Sequence, residues 1–322
     1  MLEFLSLRKL PLEELPKEIC RLSQLQFLDL SNCRRLKSLP SEIGEIQNLK
    51  CLNLDGCNLR VIPREISELT SLSRLVLSST ELSMETEAAA SIWRLKGLKN
   101  MTELSVCIEE GQQVKDGIMG TWSEMRHLML SYHFGSSEDL PEDMKSMKKL
   151  QSFMLHQYSG YHCLPNCCKF EHLEMVSLIG CNNIRELSPL EWMPNLKLLK
   201  LKTCNGLREL GIGSRGGYQR LQKLVLKGLD ELESLGGASK TEGVWDERTL
   251  PNLRVLKIHA CDFLQRFPVG IEKLPNLCAL MGSSEWWESI TFADENMKIK
   301  LQNIFKVSIY TIFKFFYSYK LF

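Results

Sequence analysis

The segment most suggestive of cofactor chemistry is rich in glycine. Gly211, Gly213 and Gly216 match the G-x-G-x-x-G fingerprint of dinucleotide-binding folds. That fingerprint holds a pyrophosphate only where it follows a strand and opens a helix. Here a further glycine, Gly217, follows, and the apolar pattern of the next segment begins soon after it. The sequence therefore favours a loop, and it contains no G-x-x-x-x-G-K-S/T phosphate-binding loop.

A second group combines histidine and cysteine. His162, Cys163, Cys167 and Cys168 are residue types that bind zinc. A structural zinc site usually needs two paired clusters at defined spacing, and no second pair lies nearby in the sequence. Ordinary core and surface thiols are therefore favoured over a metal site. No Ser, His and Asp combination has a local catalytic signature either, so we predict a non-enzymatic protein with no catalytic residue, no metal and no cofactor.

The chain has 12 cysteines. Five of them recur at one position of a repeating pattern, which suits a small buried side chain better than a disulfide. The first residues carry no basic segment followed by a long apolar stretch and a cleavage site, as a secretory signal would. We therefore predict a reducing compartment, either cytoplasmic or nucleo-cytoplasmic. The recurring cysteines are Cys33, Cys57, Cys181, Cys204 and Cys261.

An apolar repeat organises the chain and must position any functional residue. Leu25–Asn48 follows the pattern Leu-x-x-Leu-x-Leu and ends in spaced isoleucines, and Leu49 begins the pattern again. The period lies close to the roughly 20–29 residues of leucine-rich repeats. Twelve units can be aligned, and they begin near Leu2, Leu25, Leu49, Leu72, Met101, Met125, Leu150, Leu173, Leu196, Leu221, Leu253 and Leu277.

The spacing also predicts the local structure of each unit. The last two leucines of the pattern are two residues apart, as on one face of a strand. Pairs such as Leu39-Pro40 then start an extended or 3₁₀ return, because proline fixes its own backbone and restricts the residue before it. We therefore predict an α/β fold, a leucine-rich-repeat solenoid. It would be a curved horseshoe with a parallel β-sheet on the concave face and short helices, 3₁₀ turns and loops on the convex face.

The repeat divides the chain into three predicted regions. Residues 1–280 form the solenoid of about twelve units, and residues 281–306 form a C-terminal cap over its open apolar end. Residues 307–322 form an atypical apolar and aromatic tail, which is too short and too interrupted by lysines for a membrane span. A disordered tail, an interfacial anchor and a gene-model artefact are all compatible with it.

Four segments depart from the regular pattern. Met84–Ser91 favours an enlarged convex helix, and Gly111–Gly120 is a polar loop without the pattern. Gly211–Gly217 and Gly236–Arg248 are insertions rich in glycine and serine, which we expect to project as mobile loops.

The outward positions of three strands carry the clearest functional signal. Lys plus Arg total 40 and Asp plus Glu total 39, so any electrostatic signal must be local. The units that begin at Leu196, Leu221 and Leu253 place only cations among the charged residues at positions bordering the concave face. A docking surface for an acidic protein patch competes with a merely solvated sheet, and weak aromatic content disfavours nucleic acid. The predicted partner-binding residues are Lys197, Lys200, Lys202, Lys223, Lys227, Arg254, Lys257 and His259.

The repeat sequence resembles a known family. LSNCRRLKSLPSEIGEIQNL, from Leu30 to Leu49, is similar to the repeats of plant intracellular nucleotide-binding leucine-rich-repeat receptors, the disease resistance proteins. The segment from Pro251 to Leu277 and the later EWWESI look like that family's terminal repeats. The resemblance implies recognition of pathogen effectors or modified host proteins, and packing against a nucleotide-binding domain. The chain lacks the family's nucleotide-binding, coiled-coil and Toll-like segments, so we expect a fragment of a longer receptor.

Two functional hypotheses follow. The first is a protein-interaction module in plant innate immunity that senses an effector or a guarded host protein and takes part in signal transduction. The alternative is an intracellular scaffold of the Ras-pathway leucine-rich-repeat type, suggested by the repeated Leu-Pro-x-Glu-Ile. Irregular unit lengths count against the alternative, because such scaffolds have nearly uniform units.

Overall fold

The structure is a computed structural model. It describes residues 2–78, 95, 97–108, 119–132, 140, 144, 146–160, 170–187, 190, 193–212, 218–236 and 244–308. The chain divides into two compact units, Met1–Leu173 and Glu174–Phe322.

The first unit contains a parallel sheet in which each strand pairs with the next along the chain. Short 3₁₀ turns connect several of the strands, at Lys17–Arg21, Ser41–Glu45, Arg64–Glu68 and Met119–Thr121. The described strands are β1 (Phe4–Ser6), β2 (Phe27–Asp29), β3 (Cys51–Asn53), β4 (Arg74–Leu77), β5 (Glu103–Ile108), β6 (His127–Tyr132) and β7 (Ser152–His156).

The second unit repeats this arrangement, and two helices precede its last described strand. One 3₁₀ turn, Ile271–Lys273, precedes β12, and the helices α1 (Ser284–Ser289) and α2 (Glu295–Ile304) lie between β12 and β13. The described strands are β8 (Met175–Ile179), β9 (Leu198–Lys202), β10 (Lys223–Lys227), β11 (Val255–His259), β12 (Ala279–Gly282) and β13 (Phe305–Val307).

The leucines of the pattern build the core. Leu199, Leu224, Leu256 and Leu280 are paired in register across β9 to β12, and all four have 0% exposure. Full burial of one such side chain contributes about 1.5–3 kcal/mol before conformational entropy is counted. Because side chains alternate along a strand, the residues between the leucines point to the opposite face. One parallel strand per repeat confirms the predicted α/β repeat architecture.

The Leu-Pro pairs act as predicted. In the first unit Pro40 has extended backbone angles, and the 3₁₀ turn Ser41–Glu45 starts directly after it. The N–H of Ile43 donates to the carbonyl of Pro40 at 3.1 Å, which is the i-to-i+3 bond of a 3₁₀ turn. The same bond recurs between Ile66 and Pro63 at 3.2 Å. A fixed proline backbone therefore turns each of these units away from its strand.

The recurring cysteines connect neighbouring repeats. The thiol of Cys33 donates to the carbonyl of Leu7, and that of Cys57 donates to the carbonyl of Leu30, both at 3.1 Å. Each acceptor lies at the end of the strand in the preceding repeat. The prediction of small buried thiols is confirmed for Cys33, Cys57, Cys181, Cys204 and Cys261, which are all buried.

Burial raises the pKa of the Cys57 thiol to about 12. Because the thiolate is the reactive species, this rise from the ordinary thiol pKa of 9.0 leaves about a thousandfold less thiolate at pH 8. We therefore expect iodoacetamide to label the exposed Cys278 in the native protein, while Cys57 is labelled only after unfolding. Peptide mass spectrometry would measure both sites in one sample. Equal labelling rates at the two cysteines would contradict the burial of this position.

Asparagines form a second connection between repeats. In the first unit the amide of Asn48 donates to the carbonyl of Ser23 at 2.7 Å. In the second unit Asn252 donates to the carbonyl of Gln219 at 2.8 Å, and Asn276 makes the equivalent bond to Pro251 at 2.7 Å. The repeated Pro-Asn-Leu turn of the sequence therefore has a structural role: its asparagine binds the turn of the repeat before it.

The end of the second unit is covered by aromatic side chains. Trp286 of α1 is only 4% exposed, and its indole N–H donates to the carbonyl of Leu264 at 3.2 Å. Its ring meets that of Phe267 edge-on at 5.7 Å. Trp287 stacks on Phe305 of β13 at 4.3 Å. Both tryptophans of the segment predicted to be a cap therefore pack against aromatic side chains.

Two features near this end differ from the sequence-based picture. Strand β13 was not predicted from the sequence; it pairs with β12 and crosses the predicted boundary between 306 and 307. The expectation of a mobile loop at Gly236–Arg248 is wrong for its described end, because Trp245 has 0% exposure and its N–H donates to the carbonyl of Val269 at 2.7 Å. Burial of a large indole anchors this part of the insertion.

Several predictions fall outside the described residues. They are the helix at Met84–Ser91, the loop at 111–118, the cluster of His162, Cys163, Cys167 and Cys168, the glycines from Gly213 to Gly217, and the tail from 309 to 322. Across the described ranges, no helix is long and apolar enough to cross a membrane. The same ranges contain no group of three or more His, Cys, Asp or Glu side chains that could hold a metal ion.

Candidate functional site

Strands β9, β10 and β11 bring the predicted partner-binding residues onto one face. Lys200 and Lys202 lie on β9, Lys223 and Lys227 on β10, and Lys257 and His259 on β11. Lys197 and Arg254 each lie one residue before a strand. The face is outward, because the alternating residues of the same strands are the buried core leucines.

The strand register arranges these residues in rows that run across the sheet. Lys202, Lys227 and His259 are direct neighbours in one row. In the next row Lys200 and Lys257 both flank Val225. We call Lys200, Lys202, Lys227, Lys257 and His259 the basic strip. Neighbouring strands lie about 4.8 Å apart, so the four lysines of the strip share one local field.

The pKa of His259 responds to this local positive field. The pKa of His259 lies below its usual value, first because the ring is partly buried and then because Lys227 and Lys257 repel a further positive charge. His259 is therefore neutral at pH 7, and an anion bound to the strip would raise its pKa again. Among the described residues, no acidic side chain forms an ion pair with the four lysines of the strip.

The outlying predicted residues differ from the strip. Lys197 forms an ion pair of 2.8 Å with Glu174, which lies one repeat earlier, so its charge is offset locally. Lys223 is exposed but lies in a row of mainly apolar residues beside Leu198 and Val255. Arg254 is exposed at the edge of the face. The structure thus brings five of the eight predicted residues together and leaves these three at the margin.

Sequence reasoning missed one cation. Lys306 of β13 is exposed and pairs in register with Met281, which pairs in turn with Lys257. The only sequence signal was the short alternation Phe305-Lys306-Val307, and the helices before it interrupt the repeat pattern. The outward row that starts at Lys200 therefore extends to the last described strand.

Acidic outward residues of the first unit have structural partners. Asp29 accepts hydrogen bonds from the backbone N–H of Ser31 at 2.9 Å and from the hydroxyl of Ser6 at 3.4 Å. Asp55 accepts from the hydroxyl of Ser78 at 3.0 Å. These carboxylates tie the ends of neighbouring strands together. The candidate site consequently lies in the second unit.

A cleft of about 690 Å³ lies at the turns that follow β8 to β10. Its wall is built by side chains that bind one another. The backbone N–H of Asn205 donates to Asn182 at 3.2 Å, and Arg208 pairs with Glu231 at 3.4 Å. These two bonds join neighbouring repeats, so the wall of the cleft is part of the repeat structure.

The comparisons with known proteins agree with this architecture. Residues 1–277 match the family model described as "Leucine-rich repeat region". The Arabidopsis thaliana protein "Probable disease resistance RPP8-like protein 2" is 28% identical over 320 residues, which cover 94% of this chain and 33% of that protein. "Disease resistance-like protein DSC1", also from Arabidopsis thaliana, is 28% identical over 226 residues, which cover 70% of this chain and 16% of that protein.

Solved structures support the fold alone. An internalin from Listeria monocytogenes has a TM-score of 0.59 at 14% identity, and the match covers 95% of this chain and 86% of that one. The chain spans about a third or less of the length of the curated relatives it matches. With a family match over most of its residues, the chain belongs to the leucine-rich-repeat family, and its curated relatives include disease resistance proteins of Arabidopsis.

Proposed function

We propose that the chain is a non-enzymatic recognition module of a plant disease resistance protein, and that it binds an acidic surface patch of a protein through the basic strip. One observation carries this proposal: Lys200, Lys202, Lys227 and Lys257 share one face with no ion-pair partner among the described residues. Four neighbouring cations without counterions favour an anionic partner, both in rate of encounter and in specificity.

The relatives support the biological side of the proposal. Their printed names associate them with disease resistance, and this chain covers only a part of each. A pathogen effector or a guarded host protein is accordingly the proposed partner class, and the nucleotide-binding domain of a longer receptor is the proposed intramolecular one. Signal transduction and a cytoplasmic or nucleo-cytoplasmic location belong to the same proposal. The buried cysteines are compatible with such a reducing compartment.

Charge reversal tests the strip directly. In the variant Lys200→Glu, Lys227→Glu, Lys257→Glu, we expect binding of a labelled poly-L-glutamate probe to weaken by at least about tenfold at low salt. The salt dependence of binding should fall at the same time, because fewer attractions between opposite charges remain for salt to screen. Fluorescence anisotropy at several salt concentrations measures both quantities.

A matched control keeps the overall charge change the same. A variant with Lys273, Lys298 and Lys300, all exposed, replaced by glutamate has the same net charge as the first triple variant. Its basic strip is intact, so it should retain most of the binding. If the two triple variants bind the probe equally, the strip is a solvated surface and the proposal is wrong.

A further inference from the structure

One row of the outward face alternates cationic and apolar side chains. The strand pairings place one residue from each of β9 to β13 in this row, in register. All of them are at least partly exposed. The members of the alternating row are, in order, Lys200, Val225, Lys257, Met281 and Lys306.

The row sets two distances for a ligand. Neighbouring strands are about 4.8 Å apart, so each lysine lies about 4.8 Å from an apolar side chain and about 9.6 Å from the next lysine along the row. A complementary segment must therefore present carboxylates at the longer spacing and apolar groups midway between them. All of these groups must lie on one face of the segment.

An α-helix meets both distances. Residues seven apart lie on the same face with an axial separation of about 10.5 Å, and residues three or four apart lie between them at about 4.5–6 Å. The difference of about 1 Å from the lysine spacing is small compared with the reach of a flexible lysine side chain. A helix laid across the strands can thus match the whole row.

Other regular conformations meet at most one of the two distances. In an extended strand, residues on one face recur at about 6.6 Å, which fits neither spacing. In polyproline II, residues three apart recur on one face at about 9.3 Å, but no residue lies between them on that face. The alternation of the row therefore selects a helix over an extended peptide.

The flanking rows give the helix an orientation about its own axis. On one side lie the cations Lys202 and Lys227. On the other side lie the apolar residues Leu198, Val255 and the buried Ala279, with one exposed cation, Lys223, between the first two. Rows on one face are about 6.6 Å apart, so three rows span about 13 Å, close to the diameter of about 10–12 Å of a helix with its side chains. The matching helix is amphipathic, with its acidic edge toward Lys202 and Lys227 and a mainly apolar edge toward Leu198 and Val255.

We propose that the basic strip, with Lys306, binds an acidic amphipathic α-helix of a partner protein, which lies across β9–β13 with its carboxylates one heptad apart. This inference rests on the proposed function and specifies its partner. It explains why the cations of the row lie on alternate strands rather than on every strand.

Three synthetic peptides of equal composition test the register. The first is an alanine-based helix of about 18 residues with glutamates one heptad apart and leucines midway between them. The second shuffles these positions. All three contain one proline, which stands at the end of the first two peptides; in the third it changes places with a central alanine, so that the helix is broken. By fluorescence anisotropy with the whole chain, we expect the first peptide to bind at least about tenfold more tightly than either of the others. Circular dichroism checks the helicity of each peptide.

A charge swap gives a second, independent readout. Lys257→Glu should weaken binding of the first peptide by about tenfold, and changing the peptide's middle glutamate to lysine should restore it. Lys257→Met, which retains an unbranched apolar side chain, checks that any loss is not a loss of folding. Restoration supports the proposed register, and its absence in a folded variant overturns it.

The outcomes separate the inference from the proposed function. If all three peptides bind equally while the Lys200, Lys227 and Lys257 reversal still weakens poly-L-glutamate binding, the strip binds acidic proteins but the helix is wrong. Equal binding of the proline peptide and the first peptide likewise overturns the helix. If poly-L-glutamate is insensitive to the reversal, the proposed function fails and the inference fails with it.

Discussion

Replacing Trp286 with alanine should lower the free energy of unfolding of the second unit by about 3–5 kcal/mol. The indole is 4% exposed, packs edge-on against Phe267 and donates to the carbonyl of Leu264. Alanine would leave a large cavity between α1 and the last repeat, and it would leave that carbonyl without its donor. Urea unfolding of the whole chain, followed by circular dichroism, measures the loss.

The variant Trp286→Phe is the control for packing. It retains an aromatic ring beside Phe267 and loses only the indole hydrogen bond and part of the volume, so it should cost about 1–2 kcal/mol. A loss below about 1 kcal/mol for Trp286→Ala would show that residues 281–306 add little stability. The proposal that this segment caps the repeats would then be wrong.

Gly270→Ala should destabilise the same unit by about 3 kcal/mol or more. Gly270 has a φ of +94°, a conformation that favours glycine. A Cβ atom built there would lie 1.9 Å from the carbonyl oxygen of Trp245, which is a backbone atom held in place by the buried indole beside it. The backbone of the 3₁₀ turn would have to move, and thermal unfolding would report the effect.

Gly228→Ala separates the clash from the backbone strain. Gly228 also has a positive φ, +59°, but its nearest neighbour is the methyl group of Thr203 at 3.2 Å, which can shift. Only the left-handed conformation is then strained, and the expected cost is about 1–2 kcal/mol. Equal losses for the two variants would contradict a close approach at Gly270.

Most of the fold could be predicted because its signal is local and repeated. A residue such as Leu199 is buried between its in-register neighbours Val176 and Leu224, and the same spacing recurs in nearly every repeat. The cysteine position and the Leu-Pro turn are likewise read directly from the period. A repeated pattern amplifies weak local preferences, which a single strand would not reveal.

The rest depended on pairing between distant residues. Glu174 neutralises Lys197 from the preceding repeat, which becomes visible only once the register of β8 and β9 is known. Lys306 joins the alternating row after two helices that break the period. Trp245 lies in an insertion whose composition favours a loop, yet its large apolar surface takes it into the core.

The asparagine bonds between repeats have an evolutionary consequence. Asn252 and Asn276 hold the turns, the leucines fill the interior, and neither set includes an outward residue such as Lys200 or Lys257. Substitutions at Lys200 or Lys257 therefore leave the asparagine bonds and the buried leucines unchanged. Single codon changes can therefore alter the outward surface without altering the fold. Unequal crossing-over by whole repeats can lengthen that surface by adding further copies of the same structural unit.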